Sequence, residues 1–272
     1  MSSRSVSRSG YGSLLIYTIL YLGFLYIPIL FLPLFSFNDS IYIAFPLKEF
    51  TTKWYVQMVN HDQLIGALQN SVKVGLAVSI VSTIFGTIAA KAFTRYRIPG
   101  AKPLTAFISI PLVIPLIIMG IALLVVMQGL GIDLSLFTIG VAHTVICVPF
   151  SMFVMMSRLE GFDKSVEEAS QDLGETPWMT FWRVTFPLVL PGIIASILLC
   201  FTISFDEFIL AFFLAGDETT LPIYIWSQMR FPTKLPPVLA LGATIFIFSF
   251  VVVTFAEWIR RRGVQMQTSS GV

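Results

Sequence analysis

Residues 158–187 read RLEGFDKSVEEASQDLGETPWMTFWRVTFP, and this polar, aromatic-ended stretch decides how the apolar sequence around it is divided. Asp163 is placed to cap a helix, with Glu167 and Glu168 early in it, where the helix dipole favours acid. Val166, Ala169 and Leu173 recur at helical spacing on one face. Gly174 follows as a helix-ending glycine. Thr176-Pro177 then restarts the chain, with Thr as cap and Pro at the first helical position. Trp178, Phe181 and Trp182 make the second helix aromatic, and Pro187 and Pro191 mark entry into the next apolar block. The spacing predicts two short helices at an angle, projecting from whatever the apolar blocks form. A short helix with an apolar stripe, in water, needs a cover. Composition alone leaves two readings open: insertion into a groove on a cytoplasmic partner, and an amphipathic segment lying on a membrane surface.

On either side the chain turns apolar. Of its 272 residues 56% are apolar and 12% charged, with a mean hydropathy of +0.85, against roughly 25% charged in a soluble domain. Six blocks reach spanning length, near 13–35, 68–93, 104–128, 136–157, 188–215 and 236–259, each long enough for the roughly 20 residues a bilayer core needs. The third carries Pro111, Pro115 and Gly120 and is expected to bend. The expected class is therefore an all-α integral membrane protein with six transmembrane helices. Residues 1–12 form a cytoplasmic N-terminal segment, 13–259 the membrane domain, and 260–272 a cytoplasmic tail, whose composition after Gly263 predicts no regular structure. The first apolar block continues well beyond Arg4 and Arg8, so it reads as a retained start-transfer helix.

Basic residues orient the spans. Arg4, Arg8, Lys91, Arg95, Arg97, Lys102, Arg158, Lys164, Arg183, Arg260, Arg261 and Arg262 fall on one side of a six-span fold, twelve in all. Lys48, Lys53, Arg230 and Lys234 fall on the other, with Lys73 just inside the second span. That sorting places both termini and the 158–187 loop in the cytoplasm. Miscounting by one span would destroy it. Cys147 and Cys200 both lie inside apolar blocks and offer neither a disulfide framework nor a metal set.

The loop also resembles a known motif. Glu168-Ala169-Ser170, three residues, Gly174, nine residues, then Val184-Thr185-Phe186-Pro187 is similar to the "EAA" loop of binding-protein-dependent ABC importer permeases, departing mildly at Ser170, Val184 and Phe186. Similarity to the spermidine/putrescine-type permeases runs over nearly the whole chain. It includes Thr51 to Tyr55, Ser157 to Asp163, Phe201 to Glu207 and Leu221 to Tyr224. The resemblance implies that the 163–187 loop is a coupling helix docking a separate ATPase, through Glu168, Ala169, Ser170, Asp172, Leu173, Gly174 and Pro187. It implies a second permease subunit in a heterodimer, two ATPase subunits and an extracytoplasmic solute-binding protein. The outer loops 37–67 and 216–235 would receive that binding protein. No GxxxxGK[ST] run exists here, so ATP and Mg would sit on the partner ATPase, with no cofactor, metal or catalytic residue in this chain. Nucleic acid is not an expected partner.

Acids inside a span are costly and functional or paired. Asp206 and Glu207 stand in the fifth block, with Thr202 and Ser204 one turn before them. On a continuous helix counted from Pro191, Asp206 falls towards the outer side. Two readings are open: a negative point on a cation path, which the resemblance supports, and a structural ion pair with Lys73. Trp54 matches a family tryptophan near the outer face and reads equally as a gate or an interfacial anchor. Two departures bear on cargo. Leu116 follows Pro115 where polyamine-type permeases carry Asp, and Pro236-Pro237-Val238-Leu239 replaces a Pro-Glu-x-Asn pattern. Loss of both polar groups points towards a less cationic solute, an amino-acid, betaine or opine-like compound, beside the polyamine-like one that the resemblance implies. His143 in the fourth span reads as a packing residue with no acid near it. That isolation argues against an intramembrane enzyme. A secondary transporter or channel acting without an ATPase would call for inverted repeats or more buried charge.

The topology has a direct check. Alkaline phosphatase, which matures only outside the cytoplasm, is expected to be active when fused after Asn60 and inactive when fused after Gly174. The reverse result would invert the fold.

Overall fold

In the computed structural model, residues 8–269 are described, with side chains for 12–251 and 254. Arg4 lies outside the described residues, as do the side chains of Arg8 and Arg260 to Arg262. Among the described residues twelve α-helices follow one another: α1 (Arg8–Ser36), α2 (Lys53–Val59), α3 (Asp62–Arg95), α4 (Ala101–Ser109), α5 (Leu116–Gly129), α6 (Leu136–Glu160), α7 (Ser165–Asp172), α8 (Pro177–Thr180), α9 (Phe186–Asp206), α10 (Ile209–Leu214), α11 (Leu221–Gln228) and α12 (Leu235–Ser269). Five uninterrupted helical stretches are long and apolar enough to span a membrane, and a bent pair makes a sixth. α12 stays helical past Gly263, where composition predicts no regular structure.

Proline causes the bend. α4 runs into a 3₁₀ turn at Ile110–Leu112, and α5 sets off from Leu116 at 96° to it. Pro111 has no N–H to donate, and Pro115 (φ −54, ψ 129) is extended, which the proline ring also favours for the residue before it.

The fifth block departs from expectation. It is not one helix over 188–215. A continuous helical path starts earlier, at Pro177, passes through a π-turn at Phe181–Thr185 and ends at Asp206. Glu207 is extended (φ −73, ψ 119) and α10 is a separate short helix. The helix counted from Pro191 does run unbroken as far as Asp206, its last residue; what fails is its continuation to 215.

The chain forms two compact units, residues 63–227 and residues 1–62 with 228–272. In the first, Val78, Ile139, Ala142, Ile146, Cys147, Cys200, Leu210 and Leu214 build a core, and Ala90, Met152, Met155, Leu159 and Val189 a second cluster. Without water on either side, helices in lipid associate through close packing and polar contacts. α3, α6 and α9 do both. Thr83, Ser196 and Ser151 form a buried hydroxyl chain, 3.0 Å and 2.7 Å between oxygens. A Cβ on Gly86 would stand 2.2 Å from Ser151 Oγ. In the second unit α12 packs on α1 and α2. There Trp54 is buried and its indole N–H donates to the Asn38 carbonyl at 2.9 Å.

Gly86→Val should lower stability by about 1–3 kcal/mol through overpacking, read as an earlier thermal midpoint in detergent. Gly66→Ala, on the same helix with nothing within 4 Å, is expected to leave the midpoint unchanged or raise it.

Candidate coupling loop and solute path

Asp163 opens the loop by accepting the Ser165 N–H at 3.0 Å, and this bond holds its carboxyl below the usual range. With the folded value depressed, the cap is present above the ordinary Asp pKa and is lost as pH falls through the folded one. α7 ends in two crossed backbone bonds, Gly174 N–H to the Gln171 carbonyl at 2.9 Å and Glu175 N–H to that of Ser170 at 3.2 Å. This is the Schellman arrangement, and it needs Gly174 at φ +95. Thr176 then caps α8 by accepting the Met179 N–H at 3.3 Å.

The apolar edge of α7 faces outwards. Leu173 is 88% and Val166 45% exposed, and Ala169 is exposed with them. Val166, Ala169, Ser170, Leu173, Glu175, Arg183 and Val184 line a depression of about 430 Å³. Glu168 is exposed and, among the described residues, pairs with Lys164 at 3.0 Å. Asp172 and Pro187 are exposed, while Ser170 is half-buried, its hydroxyl 3.1 Å from that of Thr180. The loop's buried acid is Glu167, held between Arg95 and Thr185. Sequence reading placed Glu167 only as a dipole-favoured acid. Beside Glu168, nothing in composition or in helix phase distinguishes the inward one, since both acids lie about equally far round the helix from the Val166–Ala169–Leu173 stripe.

The second region lies at the two broken spans. Leu116 at the start of α5 and Thr202, Ile203, Asp206, Glu207, Phe208 and Ile209 at the α9–α10 break line a cavity of about 570 Å³, within the 300–1,000 Å³ range usual for small-molecule sites. Asp206 and Thr202 are exposed, and among the described residues Asp206 has no ion-pair partner. Lys73, the expected partner, lines a separate apolar groove of about 680 Å³ between α3 and α6.

Glu207 does different work. It is 8% exposed, and its carboxylate accepts three backbone N–H groups, from Ile209 (2.9 Å), Leu210 (2.8 Å) and Ala211 (3.2 Å). It also lies 3.3 Å from His143 Nε2, while His143 Nδ1 is 2.8 Å from the Ser204 hydroxyl. His143 therefore does have an acid beside it, contrary to the sequence reading. The apolar blocks that carry the two residues hid it, because their composition does not say which of them lie side by side. Ser204, buried, belongs to this relay and does not line the cavity. Trp54 is fixed within the other unit.

Residues 82–264 match the model of the binding-protein-dependent transport system inner membrane component. The chain belongs to this family. It is the permease subunit of an ABC importer, lodged in the inner membrane. The argument against an intramembrane enzyme therefore rests on this family membership, as a transport component, and no longer on an isolated His143. The permease is 35% identical over 250 residues to the putrescine transport system permease protein PotI of Escherichia coli K12, covering 88% of each chain. It is 34% identical over 240 residues to the spermidine/putrescine permease PotC of the same strain, covering 88% of this chain and 90% of the relative. Among solved structures, a bacterial alginate ABC transporter in complex with an alginate-pentasaccharide-bound periplasmic protein shares the fold at TM-score 0.65 and 21% identity, over 93% of both chains. The MetNI methionine transporter does so at 0.57 and 17%, over 78% of this chain and 98% of that one.

The two adjacent acids should behave differently when neutralised. Glu207→Leu leaves three N–H groups without their acceptor, at about 1–3 kcal/mol for each buried group, and should clearly lower the thermal midpoint. Asp206→Asn removes no partner and is expected to change stability by no more than about 0.5 kcal/mol. Equal losses would contradict this division of labour.

Proposed function

We propose that the permease carries a small cationic or zwitterionic organic solute inwards, driven by a separate ATPase docked on the 163–187 loop. The exposed apolar edge of α7, beside the Gly174 turn, carries the docking reading. A leucine 88% exposed on a soluble helix wants a partner groove. Glu168, Ala169, Ser170, Asp172 and Leu173 supply the contact face, Gly174 sets its angle and Pro187 returns the chain to the membrane. ATP and Mg bind to two ATPase subunits, and this chain supplies the path. A second, related permease completes the channel, and an extracytoplasmic solute-binding protein delivers cargo to the outer loops. Both termini face the cytoplasm, in keeping with twelve basic residues on that side.

Asp206 carries the cargo reading. An exposed carboxylate in a cavity lined also by Leu116, Ile203, Phe208, Ile209 and the backbone-bound Glu207 favours a positively charged group with apolar matter around it. Thr202 adds a hydroxyl at the rim. The permeases of putrescine and spermidine/putrescine systems support an organic cation, and Leu116 shifts the preference towards amino-acid, betaine or opine-like compounds.

Co-expressed with the partner permease and ATPase, the wild type is expected to co-purify with the ATPase, and Leu173→Asp and Glu168→Lys to lose it while still inserting. Retention in both would refute docking through α7. The cognate binding protein, titrated with putrescine, spermidine, glycine betaine and octopine, identifies the solute class. Uptake of the ligand that binds should fall at least about tenfold in Asp206→Asn, as for a lost charge-assisted contact, with the complex still assembled.

A further inference from the structure

The loop's other ion pairs, Lys164 with Glu168 and Arg183 with Glu175, lie at its surface and are worth little. Glu167 is different. It is 5% exposed, in a helix whose other residues are exposed or half-buried. One carboxylate oxygen accepts the Thr185 hydroxyl at 2.5 Å, and the other lies 3.1 Å from Arg95 Nε. The Arg95 side chain is as deeply covered, at 8%. Its Nη2 donates to the Leu159 carbonyl at 2.9 Å and to that of Phe162 at 3.5 Å, and the guanidinium stacks 4.5 Å from the Phe162 ring centre.

These contacts join four elements. Arg95 is the last residue of α3, Leu159 sits at the end of α6, Glu167 is in α7, and Thr185 closes the π-turn leading into α9. Separating a buried carboxylate from its guanidinium would leave an uncompensated charge, so the pair resists opening. A force on α7 is more easily met by moving the attached helix ends together than by breaking the joint. The fixed fork of arginine, with donors aimed at Glu167 and two carbonyls, suits it to hold several chain segments at set angles.

We infer that the Arg95–Glu167 pair, with Thr185 as its second arm, is the rigid joint that delivers displacement of α7 to the second, fourth and fifth spans. Arg95, Glu167 and Thr185 are positioning residues, acting through the helices they tie and touching neither solute nor ATPase. The inference rests on α7 as the docking helix, and the test separates the two.

The complete complex, with both permeases, ATPase subunits and binding protein, is placed in liposomes with Thr202→Cys as a reporter in the cavity. Cys147 and Cys200 are fully buried, leaving the reporter as the accessible thiol of this chain. Its maleimide labelling rate is compared with and without MgATP and vanadate. Glu167→Gln is expected to keep the ATPase bound and hydrolysing while the nucleotide-dependent change in labelling shrinks roughly tenfold, the size of a typical coupling energy. Thr185→Val should weaken it by a smaller factor, and Thr185→Ser, which keeps the hydroxyl, should retain it. A full reporter response in Glu167→Gln overturns the joint. Loss of the ATPase from that variant also overturns it, by placing Glu167 in the docking contact. Retention of the ATPase in Leu173→Asp would instead refute docking through α7.

Discussion

Within hydrocarbon a backbone N–H or C=O has no water to fall back on, so every interruption of a spanning helix must be satisfied by the protein itself. This permease interrupts two. At the third span the break comes from prolines, whose missing donor is absent from the start. At the fifth it comes from a carboxylate. Glu207 takes three N–H groups of α10, doing with a side chain what the preceding turn would otherwise do. His143 and Ser204 brace it from α6 and α9. The break turns the end of α9 aside and leaves Asp206 in a cavity with Leu116, the first residue after the other break. Irregular backbone at membrane depth belongs where it lines such a space.

The loop between the fourth and fifth spans obeys the opposite rule, because it stands in water. Its apolar residues are displayed and one acid is hidden. Val166, Ala169 and Leu173 face outwards, while Glu167 turns in to Arg95 and Thr185. One eight-residue helix thus has a face suited to a partner and a face bound to its own membrane helices. The two adjacent glutamates at 167 and 168 divide these tasks by helix phase alone. The same holds for the two adjacent acids at 206 and 207, where the end of a helix does the dividing.

Much of the organisation was legible in the amino-acid sequence because it depends on quantities that add along the chain. Hydropathy marked six spanning blocks, and Pro111 with Pro115 the bend. Thr176-Pro177 and Gly174 located the turns of the loop between the fourth and fifth spans, since capping and positive φ are demands of single residues. Only the tertiary structure decided where buried charges find their partners. Glu207 meets His143 across sixty-four positions and Arg95 meets Glu167 across seventy-two, and in neither case does local composition say so. Lys73 looked like the partner of Asp206 and faces another groove. A helix continued through 207 looked as good as one that stops, because the fresh start after it is made by the Glu207 side chain reaching forward to the N–H groups of 209–211. Local preferences are written residue by residue, whereas the pairing of charges out of water depends on which helices come to lie side by side.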